Sequence, residues 1–262
     1  MLPDSAVVQR RQTPALRVLL PAVCLLSSAS IARAQPSDNL QSRLRTLASA
    51  AELLDSKLPA FACHETFTSQ LLQGRKVKRQ VTGAGELRVQ PDENGKLDED
   101  FQTTEIDGHP SQGFPRVPLF VEGGFQNAIQ LFRPSDQRCF VFHSDGDRIE
   151  FQSRPDAPED PCGRRTGVSG YALLDASGTL THIETHTEGE AATRRHIVPY
   201  AALDLSQVQL GGNTFLLSTH VVAELYVGKT TRHWEATYSG CRLYQVTVKI
   251  GPATPAPDDT AK

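Results

Sequence analysis

The chain is poor in aromatic residues, which make up 6% of its 262 positions, and it has no large excess of either charge. A formal net charge of −3 gives no electrostatic footprint for nucleic acid. Beyond the N-terminus no apolar run reaches the 18 residues that a membrane-spanning helix needs. No CxxC pair, P-loop or dinucleotide fingerprint occurs, so the common zinc, nucleotide and nicotinamide sites have no motif to rest on. With 39% hydrophobic and 22% charged residues, the remaining composition is that of an ordinary globular protein. Collagen, coiled coil and wholesale disorder are thereby excluded.

What is present begins with an address. Arg10, Arg11 and Arg17 precede the short apolar run Val18-Leu19-Leu20-Pro21-Ala22-Val23-Cys24-Leu25-Leu26, and Ala32-Arg33-Ala34 supplies a small-x-small ending. That order reads as a secretory signal peptide over residues 1–34. The apolar core is too short to favour the other reading, a membrane anchor. Arg10-Arg11 lacks the rest of a twin-arginine motif, and Cys24 lacks the small-residue cluster that precedes a lipidated cysteine. Cleavage after Ala34 leaves 228 residues and removes Arg10, Arg11, Arg17 and Arg33 with Asp4, so the net charge falls to −6. A net charge of that sign favours solubility and disfavours anionic lipid surfaces and nucleic acid. The expected location is periplasmic or extracellular.

Cys63, Cys139, Cys162 and Cys241 remain. An even number in an exported chain points to disulfides, and four cysteines allow three pairings. Cys139 with Cys162 is the shortest closure and staples a Pro- and Asp-rich excursion. Cys63 with Cys241 would tie the first part of the body to the last. These two bridges are the favoured set.

Periodicity organises the body into one β-rich domain over residues 35–250. Leu40, Leu44, Leu47, Ala51, Leu54 and Leu58 recur every three or four positions, the stripe of an amphipathic helix over about 38–58. Ser37 or Asp38 can cap it and Pro59 stops it. Its polar face mixes charges, so it suits covering a sheet face better than lying on a membrane. From Cys63 the period shifts toward two, and an antiparallel sheet is expected over about 63–250. Strands are read at 64–72, 76–90, 101–106, 139–143, 148–152, 169–175, 179–188, 203–210 and 214–226. A last pair, 231–238 and 241–250, would turn at Ser239-Gly240. Turn residues separate these runs, notably Asp145-Gly146-Asp147, Ser177-Gly178 and Gly211-Gly212-Asn213. Residues 107–118 read as a loop. Residues 122–132 read as a short helix with Phe125, Ala128, Ile129 and Phe132 on one stripe, ended by Pro134. Strands spaced this regularly imply a sheet that curls or closes. The segment 251–262 has three Pro, two Asp and almost no apolar residue, so a disordered tail is expected.

Several short motifs form a series along the chain. They are Leu58-Pro59-Ala60-Phe61-Ala62-Cys63-His64-Glu65-Thr66, Gly123-Gly124-Phe125 leading to Phe132-Arg133-Pro134, and Gly170-Tyr171-Ala172-Leu173-Leu174-Asp175-Ala176-Ser177-Gly178-Thr179-Leu180-Thr181-His182-Ile183-Glu184. Val198-Pro199, the Gly211-Gly212 hairpin and Tyr238-Ser239-Gly240-Cys241-Arg242-Leu243 complete it. The series resembles a group of exported bacterial β-rich proteins of unknown function. The layout is similar to the periplasmic outer-membrane lipoprotein-carrier (lipoprotein-sorting) half-barrels. That resemblance implies a strongly curved, incompletely closed antiparallel sheet with helices against its concave side, and such folds can hold acyl chains there. It carries over no catalytic residue.

The most conspicuous polar pattern is His182-x-Glu184-x-His186-x-Glu188. On a strand these side chains share one face, but His182 and His186 then stand about 13 Å apart along it. A metal ion takes its ligands at about 2.0–2.2 Å, so the two cannot share one, and a solvated polar face is the better reading. His64-Glu65 lacks the second histidine of a zinc-protease helix, and a strand would place the two on opposite faces. Asp145-Gly146-Asp147 lacks the other ligands of a calcium loop. Gly167-Val168-Ser169-Gly170 fails the G-x-S-x-G pattern of a nucleophile elbow. Cys63 as a thiol nucleophile is disfavoured in an oxidising compartment. Arg75, Lys76, Lys78 and Arg79 read as a solvated sheet edge that blocks aberrant pairing.

The expectation is therefore a mainly β (α+β) protein: a curved antiparallel sheet or incomplete β-barrel with an N-terminal helix and one short internal helix. It has no expected cofactor, metal or catalytic residue and is not expected to be an enzyme. Leu40, Leu44, Leu47, Leu54 and Leu58 are the candidates for covering the concave face. The function expected is an exported cell-envelope binder of lipid or lipoprotein acyl chains, with no nucleic-acid partner and no transmembrane span in the mature chain. The alternative is a structural or protein-interaction module of the envelope with no ligand cavity.

Overall fold

The computed structural model describes residues 36–92, 97–111, 113, 116–121, 125, 129–158, 162, 167–188 and 199–244, with side chains from residue 39 on. The leader 1–34, the tail 251–262, most of the 122–128 segment and the last stretch of the expected final strand lie outside the described residues. One helix, α1 (Pro36–Lys57), precedes the strands. They are β1 (Phe61–Gln73), β2 (Lys76–Pro91), β3 (Leu97–Ile106) and β4 (His109–Pro110), followed by a 3-10 turn, Gln130–Phe132, and a short helix, α2 (Pro134–Gln137). Then come β5 (Phe140–Asp145), β6 (Arg148–Ser153), β7 (Val168–Leu174), β8 (Leu180–Thr187), β9 (Tyr200–Leu210), β10 (Asn213–Val227) and β11 (Thr230–Leu243).

All eleven strands form one antiparallel sheet in the order β4-β3-β2-β1-β11-β10-β9-β8-β7-β6-β5. Every neighbour pair except β1–β11 is consecutive in the chain, so the sheet is two meanders joined at a single long-range seam. Cys63 of β1 and Cys241 of β11 are bridged at that seam, across 178 residues of chain. A second bridge joins Cys139, just before the edge strand β5, to Cys162 in the β6–β7 connection.

The sheet stays open, with β4 and β5 as its edges, and it curls. Helix α1 packs against both β10 and β5, strands five places apart in the sheet. A flat sheet would hold those strands roughly 24 Å apart, more than twice the diameter of a helix. Only a sheet wrapped around the helix brings both into contact with it. Leu44, Leu47, Ala51, Leu54 and Leu58 are buried on this concave side, and Leu40 is half-buried at its margin. The Arg43 guanidinium donates to the Gly146 carbonyl and to Ser144 Oγ (3.2 Å for the latter), fastening the helix to the β5–β6 turn. At its other end Asp55 accepts from Arg133.

Three local expectations change. Ser239-Gly240 is not a hairpin: β11 runs through it as one strand. Ser239 pairs with His64 and Arg242 with Ala62, so Gly240 and Cys241 together oppose the single residue Cys63. This is a β-bulge, and Gly240 supplies its left-handed residue at φ 59°. Pro134 does not simply end a helix; it opens α2, where its missing N–H costs nothing. Within the expected 107–118 loop, His109 and Pro110 form the small edge strand β4 against Ile106 and Glu105.

Candidate functional site: the concave face

Two covers lie on the concave face. Helix α1 is the first. Beside it, Leu47, Ala50, Leu53, Leu180, Phe215 and Leu216 line a cleft of about 230 Å³. The rest of its lining is polar, Thr46 from α1 and Ser177, Thr179, Gln207 and Thr214 from the sheet side, all exposed except the half-buried Thr179. The sequence places these groups there in a simple way. The helical stripe supplies one apolar wall, and the starts of β8 and β10 supply the other. The hydroxyls come from α1 (Thr46), the β7–β8 turn (Ser177, Thr179) and the start of β10 (Thr214), where the rim meets water.

The second cover is the chain from Val117 through Phe132, in its described parts. Ser69 of β1 clamps it: its hydroxyl donates to the Leu119 carbonyl (2.8 Å) and accepts from the Leu119 N–H (3.0 Å). Phe120 meets Trp234 edge-on, and Phe125 meets both Phe61 and Tyr238 edge-on. Trp234 itself stacks on Phe67 at 4.6 Å between centroids. These rings form one aromatic cluster of the chain, each burying a large area and fixing ring geometry; Phe132, Phe140, Phe142 and Phe151 form another.

One ionisable group sits among them. Glu65 is 2% exposed, on the same face as Cys63 and Phe67. Burial, helped by the nearby charge of Glu99, pushes its carboxyl up to about 8. Burial also drives the Tyr238 phenol upward, with Glu65 and Glu99 adding to it. Sequence reading took Glu65 only with His64, as an incomplete zinc-protease motif. Its signal was the alternation Cys63, Glu65, Phe67, which puts a carboxyl on the apolar face of β1.

The polar pattern of β8 lies on the opposite, outer face. His182, Glu184 and His186 do share that face, while Ile183 is buried on the other. Glu188 lies just past the end of the strand. His182 and His186 engage different acids: His182 Nδ1 lies 2.7 Å from Asp204, and His186 Nε2 lies 2.8 Å from Glu184. The Tyr171 hydroxyl also donates to Glu184 (2.9 Å), and Arg148 stands over the Tyr171 ring at 3.7 Å. Burial pushes the Glu184 carboxyl upward, but its bonds to His186 and Tyr171 and the nearby histidine charges outweigh that and hold it below the usual carboxylate value. Asp204 continues to His220 (3.2 Å), and His220 to Glu235 (3.0 Å). Histidines and carboxylates thus alternate along a chain from His182 through Asp204 and His220 to Glu235, beside the His186–Glu184 pair. Among the described residues no three His, Cys, Asp or Glu side chains are placed to hold one metal ion. The partners on β9, β10 and β11 were not legible beforehand, because they meet β8 only through strand register.

Other motifs resolve into structure. His64 is exposed and Glu65 buried, on opposite faces of β1. Asp145-Gly146-Asp147 spans the β5–β6 turn, with Gly146 at φ 59°. A Cβ on Gly170 would lie 1.9 Å from the Glu184 carbonyl oxygen, so this glycine permits close approach of β7 to β8 and marks no nucleophile elbow. No helix among the described residues is long and apolar enough to cross a membrane.

No protein-family model matches the chain, and no curated protein matches it. Solved structures do. A LolA superfamily protein from Nitrosomonas europaea shares 9% identity at a TM-score of 0.37, over 78% of this chain and 94% of that one. A putative outer membrane lipoprotein-sorting protein domain from Vibrio parahaemolyticus shares 12% at 0.42, over 80% and 95%. A DUF1329 family protein from Desulfovibrio piger shares 12% at 0.40, over 80% and 94%.

Proposed function

We propose that this is an exported, non-catalytic binding protein that takes a lipid or lipoprotein acyl chain against the concave face of its sheet. The observation that carries the reading is the cleft beside α1, walled by Leu47, Leu53, Phe215 and Leu216 and rimmed by hydroxyls. An apolar trough with a few polar groups at its mouth matches a ligand with a hydrocarbon body and a polar head. At about 230 Å³ the cleft is smaller than ligand pockets generally are, at about 300–1,000 Å³. It holds the end of a chain as it stands, and a full acyl chain requires α1 to shift outward. Export is supported by the leader pattern and by the two disulfides, which persist in oxidising compartments.

Titration with a fluorescent fatty acid tests this. The expected result is saturable binding that is strongly weakened in Leu47→Asp, which puts a charge in the cleft wall. Absence of saturable binding in the unaltered protein contradicts it.

A second reading is a structural or protein-interaction module of the envelope. It is favoured by how fully the core is filled: Trp234, Phe61, Phe125, Phe132 and Phe215 are each less than 2% exposed. In that case α1 is a permanent part of the core, and no acyl chain enters.

A further inference from the structure

The net charge of the chain conceals a segregation that the fold creates. The β1–β2 hairpin turns at Gly74 and the β10–β11 hairpin at Gly228. Because β1 pairs with β11, the two tips lie side by side: Gln73 opposes both Lys76 and Thr230. Residues 71–82 and 225–234 together contain Arg75, Lys76, Lys78, Arg79, Lys229 and Arg232 and no carboxylate. None of these six cations forms an ion pair with a described residue; Arg79 donates to the backbone carbonyl of Arg116 (2.6 Å), which adds a seventh cation at the rim. The nearest carboxylate along β10 is Glu224, which accepts from Tyr226 (2.6 Å) and lies 3.3 Å from His233.

Apolar side chains stand among these charges. Of the five large apolar residues that are exposed among the described residues, Val77, Tyr226 and Val227 are here. Register arranges them in rows. Val77, Leu72, Thr231 and Tyr226 follow one another across β2, β1, β11 and β10, and Lys76, Gln73, Thr230 and Val227 form the next row toward the tip. Tyr226, 56% exposed, has an apolar ring body and a hydroxyl held by Glu224, the amphipathic character that suits a lipid interface. Exposed apolar side chains ringed by cations make an unfavourable water-facing surface and a favourable bilayer-facing one.

We propose that the paired β1–β2 and β10–β11 tips dock the protein on an anionic lipid surface, with Lys and Arg at the headgroups and Val77, Tyr226 and Val227 entering between them. Charge complementarity selects the occupant: six cations, none of them ion-paired with a described residue and outnumbering the flanking Glu224, attract anionic headgroups, whereas a neutral bilayer offers them nothing. The surface is distinct from the acyl-chain cleft. Phe215, two residues into β10, lies beside the cleft and Val227 ends the strand at the tip, about 40 Å away along the strand. Docking and chain binding are therefore separable, and neither depends on the other.

Vesicle flotation tests the proposal, with phosphatidylcholine alone and with phosphatidylcholine mixed with phosphatidylglycerol. The protein is expected to float with the mixed vesicles at low salt, to be released as salt rises, and to ignore phosphatidylcholine. Lys76→Glu/Lys229→Glu is expected to weaken partitioning by about tenfold or more. Arg45→Glu/Lys57→Glu, the same change of net charge on α1, is expected to leave it unaltered. Val77→Ser/Val227→Ser is expected to weaken binding with every charge kept. All these positions are exposed, and unchanged thermal melting verifies each fold. Equal loss from the tip and helix charge pairs, or no flotation with mixed vesicles at low salt, overturns the proposal. An anionic protein partner at the tips would give the second of those results.

Discussion

Glu65 is the residue at which local pattern and environment conflict most. A carboxyl whose folded pKa is raised binds more protons in the native state than in the unfolded one. Its contribution to stability is complete below about 4.5 and is lost as pH rises through about 8. The loss across that window is of order a few kcal/mol. Glu65→Gln keeps the shape and removes the titration. Urea midpoints measured from pH 4.5 to 9 should therefore fall with pH in the unaltered protein and flatten in the variant; parallel profiles would show that Glu65 does not carry the dependence. The placement of Glu65 was legible from period two alone, since Cys63 and Phe67 flank it on the same face. Its elevated carboxyl was not, because burial, the main cause, is set by tertiary packing, and Glu99 adds to it from β3, far along the chain. Gly170 teaches the converse. Beside Ser169 it invites a catalytic reading, yet the Glu184 carbonyl, 1.9 Å from where a Cβ would sit, explains it by packing.

Elements were legible where a turn residue and an alternating run agreed. The β5–β6, β7–β8 and β9–β10 hairpins follow from Gly146, Gly178 and Gly211-Gly212, all at positive φ. Ser239-Gly240 carries the same local signal and was misread as a turn, because a bulge and a hairpin both recruit a left-handed glycine. Only the partner strand distinguishes them: β1 continues past the bulge from His64 to Ala62. Gly240→Val forces a β-branched residue to φ 59° and should cost about 1–3 kcal/mol. Thermal unfolding measures this, and a variant as stable as the parent would argue against a left-handed position there. Helix α1 was legible as an apolar stripe, and the structure adds what it touches. Arg43 and Arg133 fasten its two ends to the β5–β6 turn and to the segment before α2. A shift of α1 on ligand entry must break at least one of these bonds.

At the scale of the whole molecule, the seam between β1 and β11 is the one pairing that no local turn enforces. Ordering it costs loop-closure entropy over most of the body, and the Cys63–Cys241 bridge removes much of that cost from the unfolded state. The loop-entropy model gives about 5 kcal/mol for a closure of 178 residues and about 3 kcal/mol for 23. The double variant Cys63→Ala/Cys241→Ala should therefore lose more stability than Cys139→Ala/Cys162→Ala in chemical denaturation, and the reverse order would show that the seam holds without its bridge. The seam also decides where charge collects. A negative total disfavours an anionic surface, but β1–β11 pairing gathers cations from residues about 150 positions apart onto one end. Curvature was implied by strand spacing and resemblance, while the filling of the concavity depends on covers that only tertiary packing sets in place. The central claim is that this concavity admits an acyl chain. Native mass spectrometry of the protein isolated from an oxidising compartment, compared with its denatured mass, tests it most directly. The claim predicts an excess of several hundred daltons that is lost on denaturation. Identical native and denatured masses, unchanged after incubation with excess fatty acid, would contradict it.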